Sequence, residues 1–285
     1  MYDTILLPTD GRDTSNPVIE HGIELARKFG ATIHVLYTIE MPYLEYVDDD
    51  EWNRSIKKSL RKDGIKATED IANRAREYSL EVVTAIETGL PFQVISEYTT
   101  THGIDLITLG TAGTSAKSRV IGSTAKKVVR LAEEPVLTVR TSETVPSTDY
   151  KKIILATDGT PGSQRAIGEC AILAEKYDAS VQIVSVIDID KIQSESFIDS
   201  LEETGRRICE DAMEQLSAAG IHATSHILWG RPADRILTYA DEQDADLIVL
   251  GTHGRSGWEL FVLGSVAEAV LSRTAIPVLT ARNMG

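Results

Sequence analysis

The stretch DLIVLGTHGRSGWELFVLGSVAEAVLSRTAIPVLTAR, residues 246–282, has a near copy earlier in the chain: DLITLGTAGTSAKSRVIGSTAKKVVRLAEEPVLTVR, residues 105–140. Each reads as an apolar strand, a glycine-rich loop, a helix and a second short strand. The two opening segments match as well, TILLPTDGRDTS from Thr4 and KIILATDGTPGS from Lys152. Asp10 and Asp158 are 148 residues apart, and Gly110 and Gly251 are 141 apart. A period this long marks a duplicated domain, since solenoid repeats are far shorter. A chain of 285 residues suits two domains of that size. The expected domains are residues 1–143 and 150–285, joined by a polar stretch at 141–150 that lacks an apolar period.

Strand and helix signals alternate through each half, which predicts a parallel sheet wrapped by helices. Expected strands are 4–8, 32–38, 82–87, 105–109 and 136–139, then 152–157, 180–187, 223–228, 246–250 and 278–281. Expected helices are 15–29, 50–78, 91–102, 162–177, 193–219 and 232–243, with the last helix of each half starting at Gly122 and Gly264. Pro91 and Pro232 suit a first helical turn, where the missing N–H has no intrahelical partner. With strand order 3-2-1-4-5, the first and fourth strands flank the crevice where open α/β sheets bind ligands.

The residues at those strand ends point to chemistry. Gly251-Thr-His-Gly254 follows the fourth strand of the second half, and Gly264-Ser265 opens the next helix. Glycine lets backbone approach a ligand closely. A helix N-terminus adds unpaired N–H groups and a positive dipole end. Together they make an anion cradle suited to phosphates. Ser265 can add a hydroxyl donor and Arg255 a cation, with His253 beside them. Asp158 ends the first strand and can accept from a ribose hydroxyl. Val186, on the second strand, can pack against a base. Each residue alone has a plain structural reading. Asp158-Gly159 can form a turn, Ser265 can be an ordinary first helical residue, and His253 can be an exposed loop residue. Their combination at the right strand ends favours a ligand site.

Composition bounds the rest. The net charge is −14, and the surface it implies repels nucleic acid and anionic lipid. It is an ordinary solvated acidic surface or one adapted to high salt. No apolar run approaches a bilayer span, and the N-terminus reads directly as a strand, so a cytoplasmic protein is expected. Cys170 and Cys209 form no metal or disulfide pattern and read as buried thiols. The loop lacks the lysine of a Walker A motif, and no catalytic set stands out among six histidines.

On these residues both halves resemble the universal stress protein family. Its nucleotide-binding members carry G-x2-G-x9-G-[S/T] after the fourth strand, which Gly251, Gly254, Gly264 and Ser265 match in full. The opening Thr-Asp-Gly, the Gly-x-Pro at 89–91 and 230–232, and the terminal Pro-Val-Leu fit too. The resemblance implies two Rossmann-like α/β domains of five parallel strands, ATP in the cleft, and pairing of the halves through their last strands; Mg²⁺ can accompany ATP through its phosphates with few protein ligands. It implies a regulatory or sensor role in stress response. The alternatives are a slow ATPase or nucleotidyl-transfer enzyme, and a pairing module without nucleotide in the first half. Homodimerisation of the tandem is left open.

The first half departs from the motif. Gly110 and Gly113 are followed by eight residues before Gly122-Ser123, where the second half has nine, and Ala112 and Thr114 replace the histidine and arginine. Losing one residue can displace a donor by up to ~3.5 Å, more than a hydrogen bond tolerates. Asp10, Gly110, Gly113, Gly122 and Ser123 are thus candidates for a weaker second site.

Overall fold

The computed structural model describes residues 1–11, 17–40, 50–111, 121–140, 146–191, 198–252 and 263–282. The first half runs β1 (Thr4–Thr9), α1 (Pro17–Phe29), β2 (Thr32–Ile39), α2 (Asp50–Glu77), β3 (Val82–Thr88), α3 (Pro91–His102), β4 (Leu106–Gly110), α4 (Ser123–Leu131) and β5 (Val136–Val139). The second runs β6 (Lys152–Ala156), α5 (Pro161–Tyr177), β7 (Ser180–Asp188), α6 (Ile198–Ala218), β8 (Ala223–Gly230), α7 (Pro232–Glu242), β9 (Leu247–Gly251), α8 (Ser265–Arg273) and β10 (Val278–Ala281).

Each half is a parallel sheet in the order 3-2-1-4-5, as expected. The two sheets continue into one, in the order β3-β2-β1-β4-β5-β10-β9-β6-β7-β8. The joint is antiparallel: Val278 pairs with Thr138, Leu279 with Leu137 and Thr280 with Val136. Both short strands would otherwise present unpaired apolar edges, and pairing removes that liability.

Alternation along the strands builds two cores. Ile5, Leu7, Ile153 and Leu155 face a cluster covered by α1, α2, α5 and α6. Leu6, Ile154 and Ala156 face the opposite cluster under α3, α4, α7 and α8. Both clusters contain residues of both halves, so the halves share each core rather than merely touching. β1, β4, β6 and β9 are apolar on both faces because helices cover both.

The last helices start one residue later than expected. Gly122 and Gly264 are their N-caps, with ψ of 148° and 139°, so they belong to the extended approach and not to the helix. Tyr150, expected in the polar linker, is buried, with its hydroxyl 2.7 Å from Nδ1 of His21 on α1. Residues 141–145 of the expected linker lie outside the described residues. Both cysteines are free and buried, and burial pushes the Cys170 thiol up to about 12, so it stays protonated. Among the described residues, no helix is long and apolar enough to cross a membrane, and no cluster of candidate metal ligands forms.

Candidate functional site

The site grows from the ends of β6 and β9, which pair directly: Ala156 lies opposite Leu250. Where two adjacent strands send their chains to opposite faces of the sheet, a crevice opens between the departing turns. Here it is a cleft of about 410 Å³, within the usual range for small-molecule sites. Asp158, Val186, Gly251, Gly264 and Ser265 all line it, although they span more than a hundred residues of sequence. His253, Gly254 and Arg255 lie outside the described residues, as does Gly113 of the first half.

The turn after β6 is tightly knit. Thr157 Oγ1 donates to Ser163 Oγ at 3.0 Å, Ser163 Oγ donates to the Thr160 carbonyl at 2.8 Å, and Gly159 (φ 73°) lets the chain reverse. Asp158 Oδ1 accepts from Thr160 N at 3.1 Å and from Thr160 Oγ1 at 2.6 Å. The turn-forming reading of Asp158 is therefore realised, and the same carboxylate also faces the cleft. Oδ1 thus serves the turn at a residue that also lines the cleft.

The opposite wall is the start of α8. Gly264 N donates to the Thr252 carbonyl at 2.8 Å, anchoring the loop's end beside β9. The helical ladder begins with Glu268 N, bonded to Gly264 O, and among the described residues no side chain caps the first turn. The N–H groups of Ser265, Val266 and Ala267 thus stand at the cleft without intrahelical partners. The apolar wall comes from Val184, Val186, Ile187, Leu250 and, from α6 and α7, Ile208 and Ile236. Among the described lining residues there is no lysine or arginine, and Asp158 and Asp188 are the charged ones. Arg231 pairs with Asp190 at 3.0 Å, next to Pro232 of the lining.

The first half repeats the frame. Gly122 N donates to the Thr111 carbonyl at 2.7 Å, as Gly264 N does to Thr252, so both loops are closed at the same point despite the one-residue difference in length. Gly110 ends β4, Gly122 caps α4 and Ser123 is its first residue. Asp10 is exposed after β1.

The two halves differ beneath this frame. The Tyr37 ring would lie 3.0 Å from a Cβ at Gly11 and 2.6 Å from one at Gly64. The repeat-equivalent residues are Ser185, Gly159 and Gly205. Ser185 and Gly205 line the open cleft, so a hydroxymethyl stands where the first half carries a phenol ring. Ile208, in place of Ala67, takes back part of that space by packing on Gly159.

Sequence reasoning missed the α6 contribution of Leu201, Thr204, Gly205 and Ile208, as well as Ser163. One signal was present. Gly64 and Gly205 fall at the same repeat position in the middle of helices, where glycine is otherwise disfavoured.

Relatives agree with this architecture. A model of the universal stress protein family matches residues 1–140 and again 149–282. Universal stress protein Slr1230 of Synechocystis is 26% identical over 98% of this chain and 99% of its own. Universal stress protein MJ0531 of Methanocaldococcus jannaschii is 33% identical over 47% of this chain and 82% of its own. The crystal structure of a universal stress protein from Archaeoglobus fulgidus superposes with a TM-score of 0.78 at 21% identity, covering 99% of both chains, a likeness of fold. With the family matched separately in each half, the chain belongs to the universal stress protein family.

Proposed function

We propose that the second half binds ATP and that the protein acts in stress response as a regulatory or sensor module. The first half is a weaker site or an empty partner. The observation that supports this most is the convergence of Asp158, Val186, Gly251, Gly264 and Ser265 on one cleft beside the start of α8. In this reading the N–H groups opening α8 and the Ser265 hydroxyl take the phosphates, as a helix N-terminus favours. Asp158 accepts from a ribose hydroxyl, and Val186 packs against adenine. The absence of cationic side chains among the described lining residues gives Mg²⁺, carried on the phosphates, a neutralising role together with Arg255. Each half, residues 1–143 and 150–285, is taken as one domain, and the protein as cytoplasmic.

Two expected results test this on the full chain. Titrated with MgATP and followed by native mass spectrometry, Gly264→Val should lose the tight site, because a branched side chain enters the phosphate position. Gly122→Val should keep it. The opposite pattern would put the nucleotide in the first half. Calorimetry should find Asp158→Asn weaker by about 1–3 kcal/mol, the range for a hydrogen bond to a charged group. Asparagine keeps the oxygen that Thr160 uses, so the turn survives. Unchanged affinity would move the ribose contact elsewhere.

A further inference from the structure

The two halves meet across an approximate twofold axis, and the repeat identifies equivalent contacts. Tyr2 donates to Glu169 Oε2 at 2.6 Å, and the Tyr150 hydroxyl lies 2.7 Å from His21 Nδ1; both partners are displaced by 148 residues. Lys28 Nζ lies 5.0 Å from the centre of the Tyr177 ring, and Lys176 Nζ lies 5.3 Å from that of Phe29, with the same displacement. Arg140 reaches the carbonyls of Ser272 and Thr274 at the end of α8, at 3.5 and 3.3 Å. Arg282, 142 residues on, reaches those of Arg130 and Leu131 at the end of α4, at 3.4 and 3.3 Å.

These off-axis contacts do not choose a partner. A pair of unlike halves holds one of each kind, while the two possible like pairs hold two of one kind each, so the sums are equal. A residue on the axis behaves differently, because it meets its own counterpart. Lys126 on α4 and Glu268 on α8 occupy the same repeat position, 142 residues apart, and Lys126 Nζ donates to Glu268 Oε1. Two first halves would set Lys126 against Lys126, and two second halves Glu268 against Glu268. Leu137 against Leu279, also on the axis, is neutral to the choice.

We infer that the Lys126–Glu268 pair selects the partner: it commits the pairing face of each half to the opposite half and turns it away from the same half of a second copy. The pair is only half-buried, so each charge reversal shifts a pairing constant by about ten-fold at low salt, from a weak attraction to a weak repulsion. The tether then adds effective concentration to a choice already made by charge.

The test keeps the chain whole until it has folded. A protease site inserted within residues 141–145 allows nicking afterwards. Isotopically light and heavy nicked batches are mixed at low salt and held in mild denaturant until light and heavy unlike pairs have scrambled. Native mass spectrometry then counts the pairs. The expected result is unlike pairs almost exclusively. Glu268→Lys alone makes every pairing Lys against Lys, so like and unlike pairs should approach the proportions of random association. Lys126→Glu with Glu268→Lys restores the opposed charges, and with them the unlike pairs. Random proportions in the wild type, or a double variant that sorts like the single one, would overturn the inference.

Discussion

Gly251→Ala should cost about 3 kcal/mol or more of stability and close the cleft, at the upper end of what one added methyl group does by overpacking. A Cβ built at Gly251 lies 2.4 Å from the Gly162 carbonyl oxygen, 2.7 Å from its carbon and 3.0 Å from Ser163 Cα. All three are backbone atoms in the first turn of α5, so no side chain can rotate away. The helix must move, and that movement carries Ser163, which lines the cleft and holds Thr157. The glycine that ends β9 is thus required by close approach and not by an unusual φ. Gly168→Ala is the control. Gly168 lies in the middle of α5 with nothing within 4 Å of an added Cβ, so alanine there should stabilise by about 0.5–1 kcal/mol through helix propensity. Urea unfolding of both variants, with MgATP titration of each, reads the contrast. A Gly251→Ala protein as stable as the wild type would mean that α5 yields freely and that the cleft is not built as described.

This close approach explains why so much of the site was legible in the sequence. The Gly-rich stretch after an apolar strand repeats in both halves, and Gly122 N and Gly264 N are anchored alike on the Thr111 and Thr252 carbonyls. The parallel sheet followed from the alternation of elements, whereas the strand order and the joint through the last strands followed from the family resemblance. What sequence missed depends on contacts between distant residues. Tyr150 reads as the end of a polar linker because its partner, His21, is 129 residues away. The α6 wall of the cleft is set by how that helix lies across β7 and β8, which no local pattern encodes. The two readings of Asp158 could not be separated in the sequence, since holding a turn and accepting from a ribose hydroxyl call for the same residue type.

His21 should make the protein lose about 3 kcal/mol of stability between pH 6.5 and pH 4, through one proton. Burial drives its pKa from 6.5 down to about 4, against a smaller upward pull from the Pro146 carbonyl. Its surroundings account for the direction. His21 is fully buried on α1, stacks at 5.7 Å on Tyr150, and has its Nδ1 occupied by the Tyr150 hydroxyl. A charged imidazole there would lose hydration and face a phenol that itself resists ionisation, since burial holds Tyr150 well above its ordinary value. Above pH 6.5 both folded and unfolded chains carry neutral His21, and its contribution is fully present. As pH falls toward 4, the unfolded chain takes up a proton that the folded chain refuses, so stability declines over that window. His34 contributes in the same direction, lowered by burial and by His102, so the wild-type slope alone does not isolate His21. The comparison is with His21→Asn, which offers Tyr150 an acceptor but no titrating ring. Its stability, measured by urea unfolding at pH 7.5 and pH 4, should fall less than the wild type's by about that same 3 kcal/mol. Equal losses in the two proteins would show that His21 is protonated without penalty, and that the joint it forms with Tyr150 between the halves is not the acid-sensitive point of the fold.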